Sequence, residues 1–352
     1  MKYYDELIGK AKCHAVRVET NKEHGKGVIS NRKFAEGDLI LKDEVLVAAQ
    51  HSSNKVVARK STIADCDWEA VHSLLCTGKN ASSLQRDALI KFNEHAHRTN
   101  DIFILAAKVI AFTILRYRRM KVLSFDGSKQ PIVLNSKVES NLSLLLEAWK
   151  PFAMGFKRRW WDCIALPDDV DSCDEISFRM QIRDLAFASL QLLKEAIFDD
   201  ECAPLFSLEI YGHIIGMFEL NNLDLVVASP VEDYFIYIDD LPLDEKEEAE
   251  KLTRPLLDAL GDDYSICCQG TAFFPIQSCM NHSCCPNAKA FKREEDKDGQ
   301  AVIIADRPIS PGEEITISYI DEGLPYDERQ ALLADYGFKC CCPKCKKEQV
   351  LR

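Results

Sequence analysis

The chain has 352 residues, 47% of them hydrophobic, and a formal net charge of −12 at pH 7. That length suits two domains, or one domain interrupted by an insertion. An acidic balance of this size is poorly suited to gripping nucleic acid through phosphates and favours a Lys- and Arg-rich peptide as partner.

In chain order, the opening Met1–Glu6 segment lacks a charged-then-apolar leader, which predicts an intracellular protein with mostly reduced thiols. His14–Glu19 alternates like a strand, and Phe34–Leu41 places a turn at Gly37 before an apolar run. Asp65–Cys76 ends in the His-x3-Cys spacing of a small zinc finger. Cys66, His72 and Cys76 fall short of the four ligands that structural zinc needs, so they read as packed side chains. Ile102–Leu115, the longest largely apolar stretch, is too short to span a bilayer and runs into Arg116, Arg118 and Arg119.

Helical periodicity predicts helices over Asp101–Arg119, Glu175–Asp199, Pro204–Leu220 and Glu245–Leu260, with Gly261 as a stop. The charged stretch Asp239–Lys251 reads as the solvated face of the last of these. Beyond it, Asp298-Gly299 predicts a hairpin turn, followed by strands at Ala301–Ala305 and Ile315–Ile320 on either side of a Pro311-Gly312 turn. Strands at both ends with helices between them make the fold class α+β.

Of the 15 cysteines, an odd number, Cys340, Cys341, Cys342 and Cys345 crowd together, which suits metal ligation better than a disulfide framework. Cys340, Cys342 and Cys345 form a Cys-x-Cys-x2-Cys tripod. A tetrahedral zinc needs a fourth thiolate, for which Cys284 and Cys285 are rival candidates. Asn281-His282-Ser283, following the apolar Phe273–Ile276, could by itself be a turn or a satisfied core pair. Tyr319, near the end of a strand with acidic neighbours, could by itself be an edge packing residue.

Taken in order, these motifs resemble the SET domain of protein lysine methyltransferases. The resemblance rests on a Gly-x-Gly loop at His24-Gly25-Lys26-Gly27, an Asn-His-Ser-Cys motif at Asn281–Cys284, a Gly312-Glu313-Glu314-Ile315 strand leading to Tyr319, and the cysteine tail. The His-x3-Cys ending at Cys76 is similar to the subclass that carries a MYND zinc finger inside its SET domain, with most of that finger missing. Within the subclass the chain most resembles the plant trithorax-related histone-lysine N-methyltransferases.

The resemblance implies a SET β-fold: small curved sheets with knot-like threading near Asn281 and Tyr319, a helical insertion and a zinc-binding post-SET tail. The implied divisions are 1–50 and 266–321 for the two parts of the SET domain, 51–80 for the finger remnant, 81–265 for the insertion and 322–352 for the tail. It implies S-adenosylmethionine as methyl donor, contacted by His24, Lys26, Asn221, Asn281, His282, Tyr319, Tyr336 and Phe338, with Asn222 as legible as Asn221. Tyr319 is the implied catalytic residue. About one structural zinc per chain is implied, held by Cys284, Cys340, Cys342 and Cys345.

Methyl transfer to lysine is an in-line displacement, so the site must supply alignment, a neutral amine, a dry channel and acceptors for developing positive charge. No general-base carboxylate is assigned. The implied substrate is a basic peptide, first the histone H3 tail at lysines associated with active transcription. A non-histone protein lysine and a weakly catalytic transcriptional scaffold are the alternatives. The reading leaves room for transcription-factor partners, expects neither direct nucleic-acid binding nor membrane association, and places the protein in the nucleus while allowing the cytoplasm.

Overall fold

The computed structural model describes residues 2–10, 14–21, 25–51, 68–78, 82–125, 137–153, 158–167, 174–221, 223–228, 237–260, 267–290 and 299–350. Strands β1 (Val16–Asn21), β2 (Gly25–Ser30), β3 (Leu39–Asp43) and β4 (Val47–Gln50) come first. Much later come β5 (Leu223–Ala228), β6 (Cys267–Phe273), β7 (Asn281–His282), β8 (Ala288–Ala290), β9 (Ala301–Ala305) and β10 (Glu314–Ile317). The described strands pair into small sheets ordered β1-β2-β10-β7, β3-β9-β8 and β4-β6-β5. Each sheet therefore joins early strands to late ones, and the two β-rich ends form one unit.

Val16 and Val18, from the stretch read as alternating, share a core with Val28, Phe34, Ile40, Ile276, Met280, Ile303, Ile315 and Ile317. Each such buried aliphatic side chain contributes about 1.5–3 kcal/mol relative to exposure. Helix α1 (Lys2–Lys10), which the sequence reading did not identify, adds Tyr4 and Ile8 to this core. Glycine matters at the Pro311-Gly312 turn, where φ is +81° and Gly312 N–H donates to Ser30 O at 2.8 Å.

A second core lies among helices α2 (Trp68–Leu75), α3 (Ser83–Thr99), α4 (Ile102–Phe125), α5 (Lys137–Ala153), α6 (Trp160–Cys163), α7 (Glu175–Ile197) and α8 (Leu208–Asn221). Helix α9 (Leu243–Leu260) follows β5. The apolar Ile102–Leu115 stretch is the middle of α4, whose Phe103, Ala106, Ile110 and Ile114 are fully buried. Among the described residues no helix is long and apolar enough to cross a membrane. In the finger-remnant region Cys66 lies outside the described residues. Val71 and Leu74 of α2 enter the helical core, and Cys76 Sγ accepts a bond from Gly78 N–H at 3.2 Å.

The window expected as one helix from Pro204 is divided. A 3-10 turn covers Asp200–Phe206, and Ser207 Oγ accepts the Ile210 N–H at 3.2 Å to start α8. Such a side-chain acceptor favours a new helix start over continuation. Strand β5 also falls within the stretch expected to be helical and pairs with β6 from Leu223↔Ala272 to Ala228↔Cys267. The expected strand after Gly312 ends at Ile317, before Tyr319. Asp298 and Gly261 lie outside the described residues.

Candidate functional site

β7 runs parallel to β10, setting Asn281 beside Thr316 and His282 beside Ile317. The chain after β7 is stitched to the same strand. Ser283 N–H donates to Ile317 O at 3.0 Å, and Asn287, 1% exposed, both donates to Glu314 O and accepts from Thr316 N–H at 2.8 Å. Asn281 Nδ2 donates to Lys26 O and to Glu314 Oε1, each at 2.7 Å. Gly27 permits that junction, because a Cβ there would stand 2.5 Å from Glu314 Oε1.

Tyr319 follows β10 and is fixed at two points. Its N–H donates to His282 Nδ1 at 3.0 Å, and its hydroxyl donates to Met280 O at 2.5 Å. Because Nδ1 accepts, His282 carries its proton on Nε2, which faces Cys284 Sγ at 3.2 Å. Burial and the nearby Arg329 hold His282 down at about 4, so the ring is neutral at physiological pH. Burial pushes the Tyr319 hydroxyl well above its ordinary range, so it is a neutral phenol whose oxygen keeps lone pairs free to accept.

Rings gather on this anchor. Tyr319 and Tyr336 lie 5.1 Å apart between centroids, His282 and Tyr319 5.3 Å, and Phe338 lies 6.0 Å from His282 and 6.4 Å from Tyr319. Phe338 remains 38% exposed, an apolar face available to a ligand. Tyr336 and Phe338 follow helix α10 (Tyr326–Asp335), and Gly337 between them has φ +83°, a value that turns the chain sharply.

Next in the chain, the cysteine tripod leads into helix α11 (Pro343–Val350). The thiols of Cys284, Cys340, Cys342 and Cys345 all lie within 4.8 Å of one another, with Cys284 and Cys345 Sγ 3.5 Å apart. A tetrahedral zinc with bonds of about 2.3 Å spaces its sulfurs by roughly 3.8 Å, so this donor set fits the ion. Of the two rivals, Cys284 is buried in the group while Cys285 is exposed. Burial drives the Cys284 thiol up. Cys342 sits at about 7, because the push of burial is outweighed by the Cys345 backbone N–H and the neighbouring thiols.

A SET-domain profile matches residues 25–320. The chain belongs to the SET-domain family of protein lysine methyltransferases. It is 52% identical to the histone-lysine N-methyltransferase ATXR2 of Arabidopsis thaliana, over 98% of this chain and 93% of that protein. That alignment runs over 446 positions against 352 residues here, so stretches of the relative have no counterpart in this chain. The protein-lysine N-trimethyltransferase SMYD5 of Mus musculus is 30% identical over 45% of this chain and 39% of that protein. A solved SET domain, of LSMT bound to lysine and AdoHcy, covers 96% of this chain and 56% of its own at 11% identity and a TM-score of 0.37.

Within this SET framework the structure brings Lys26, Asn281, His282, Tyr319, Tyr336, Phe338 and the four cysteines into two adjoining groups. Lys26 contributes its carbonyl to Asn281, and burial lowers its ammonium. Asn221 sits at the end of α8 with Nδ2 donating to Met217 O of its own helix at 2.7 Å. His24 and Asn222 lie outside the described residues. An open polar cavity of about 560 Å³ is lined by Arg158, Arg159, Asp162, Glu175, Arg179 and His213, none of which belongs to the ring group.

The sequence reading missed Met280, whose carbonyl takes the Tyr319 hydroxyl, because a backbone acceptor leaves no mark in sequence. It also missed Glu219, on the last turn of α8. Glu219 Oε2 accepts from Trp160 Nε1 at 3.1 Å, and burial raises its carboxyl near Asp335. Arg329 and Gln330, beside the thiols, were likewise not singled out.

Proposed function

We propose that the chain is an S-adenosylmethionine-dependent protein lysine N-methyltransferase acting on the histone H3 tail at lysines associated with active transcription. The observation that carries the reading is the Tyr319 hydroxyl, which gives its proton to Met280 O at 2.5 Å inside a half-buried group of aromatic rings. With the proton engaged there, the phenolic oxygen is left as an acceptor for the lysine amine and for the positive charge that develops on it.

The cofactor would supply the sulfonium methyl group. Phe338 and Tyr336 would cover its adenine, while Lys26, Asn281 and His282 would hold its amino-acid part. Exclusion of water by the rings lowers the pKa of an entering amine and keeps it neutral. The zinc would be structural, since four thiolates leave no open position, and it would hold Phe338 against the ring group. The substrate would enter as an extended basic segment, drawn by the acidic net charge and paired along a sheet edge. A histone substrate places the enzyme in the nucleus.

The test is methyl transfer from labelled S-adenosylmethionine to histone fractions, H3-tail peptides and cytosolic protein fractions. Labelling of H3 at one lysine is expected. Labelling confined to cytosolic proteins would move the substrate outside chromatin, and a folded, zinc-loaded protein that binds cofactor but labels nothing would favour a transcriptional scaffold.

A further inference from the structure

Side-chain nitrogen donors reach two of the four sulfurs, those of Cys345 and Cys284. Arg329 Nη2 lies 3.8 Å from Cys345 Sγ, Gln330 Nε2 lies 3.3 Å from the same atom, and His282 Nε2 lies 3.2 Å from Cys284 Sγ. Gln330 also clamps the backbone of the tripod, accepting Cys340 N–H at 3.0 Å and donating to Cys340 O at 3.3 Å. Arg329 stands out within this set. It is 1% exposed, although its neighbours Asp327 and Glu328 on α10 face solvent.

A buried guanidinium is costly unless negative charge lies against it. Arg329 donates to Leu324 O, its Nε finds no acceptor among the described residues, and the carboxylate it meets, Glu348 at 2.5 Å, is 33% exposed. A divalent ion bound by four thiolates leaves a formal charge of about −2 in a closed site. That residual charge and the buried cation account for each other.

We infer that Arg329 is the charge-balancing group of the thiolate centre, drawing negative charge from the sulfurs through Cys345, with Gln330 fixing the same sulfur, and so setting how firmly the metal is held. This rests on the zinc reading of Cys284, Cys340, Cys342 and Cys345. The rival role is a tie between α10 and α11 through Glu348, which would act on the metal only by way of general stability.

The two roles part under substitution. Arg329→Gln should weaken zinc binding by about 10- to 100-fold in competition with a chromophoric chelator, the range for losing a partner of a metal ligand. Arg329→Lys, which keeps the charge, should recover most of that loss. Glu348→Gln removes the charge from the tie but leaves Arg329 against the sulfur, so zinc affinity should hold. In cobalt-substituted protein, sulfur-to-metal charge transfer should move to lower energy in Arg329→Gln and stay in place in Glu348→Gln.

Unchanged zinc affinity in Arg329→Gln, or equal losses in Arg329→Gln and Glu348→Gln without rescue by lysine, would overturn the inference. If Arg329→Gln does not fold, Arg329→Met, which keeps an aliphatic stem without the charge, takes its place: weaker zinc binding than in Arg329→Lys supports charge balance, and equal binding in the two refutes it. A folded wild type that holds no zinc would instead sink the metal reading itself, and the inference with it.

Discussion

The backbone N–H of Tyr319 donates to Nδ1 of His282 across 3.0 Å, and the opposite ring nitrogen faces Cys284 Sγ at 3.2 Å. A single imidazole thus connects the proposed catalytic tyrosine to the thiolate centre. Two polar contacts hold Tyr319 in place, one through its backbone N–H and one through its hydroxyl to Met280 O. What remains free is the acceptor capacity of the phenolic oxygen, which is what a lysine amine needs.

Tyr319→Phe should therefore lower turnover by roughly ten- to a thousandfold, the range for a positioned polar group in a reaction site. It also leaves Met280 O without its donor, which costs about 1–3 kcal/mol, so the melting temperature should fall by a few degrees. Cofactor binding should change little. Equal turnover on an identified peptide substrate would remove the hydroxyl from the mechanism.

The metal centre predicts about one zinc per chain in purified, reduced protein. Cys345→Ser should reduce zinc content, melting temperature and cofactor affinity together, because the site contributes folding free energy and carries the segment bearing Phe338. Cys341→Ser, on an exposed cysteine between two of the proposed ligands, should leave zinc content unchanged. Loss of zinc from the Cys341 variant, or none lost from the Cys345 variant, would require a different ligand set.

Asp43 makes a pH prediction. Its carboxylate accepts the Ile276 and Gln277 N–H groups at 2.7 Å each, at the approach to the Asn281 motif. Burial nevertheless outweighs those bonds and raises it from 3.8 to about 7. The folded chain therefore holds this proton between about pH 4 and 7, where the unfolded chain has released it. Its contribution to stability is fully present below that window and is lost as pH rises through it. Asp43→Asn should remove this component, so that the variant's melting temperature, followed from pH 4 to 8, declines less with rising pH than that of the wild type. Parallel curves would show that the backbone donors keep the carboxylate ionised throughout.

What sequence could reveal here follows from which atoms do the work. The cysteine tripod and Asn281–Cys284 are legible because their side-chain chemistry has fixed spacing. Cys284 could not be separated from Cys285 by sequence, since the choice depends on which sulfur the turn after β7 buries. Arg329 is hidden for the opposite reason: its neighbours Asp327 and Glu328 face solvent, and only the packing of α10 beside the thiols buries it. Strand β5 was lost between two helical windows because its partner, β6, comes after a whole intervening helix. Helix α1 is short, and its two core residues, Tyr4 and Ile8, make a weak periodic signal.

The last prediction concerns Gly27, where the loop read from sequence meets the site. A Cβ at this position would lie 2.5 Å from Glu314 Oε1 and 3.5 Å from Asn281 Nδ2. The nearest atom is the end of a flexible side chain, so Gly27→Ala should fold, but only by pushing the Glu314 carboxylate off Asn281. Asn281 would then keep Lys26 O as partner and lose its charged acceptor, a bond in the class worth about 1.5–3 kcal/mol. If Asn281 helps to hold the cofactor, its affinity should fall by about tenfold or more, in line with that energy. Zinc content should stay at the wild-type value, because the bonds Asn281 makes to Lys26 O and Glu314 involve none of the four thiols. Glu314→Gln keeps an acceptor for Asn281 and should be milder than Gly27→Ala. Calorimetric titration with S-adenosylhomocysteine, run beside metal analysis on both variants, checks the ordering. Undiminished binding in Gly27→Ala would take the Asn281–Glu314 pair out of the cofactor site.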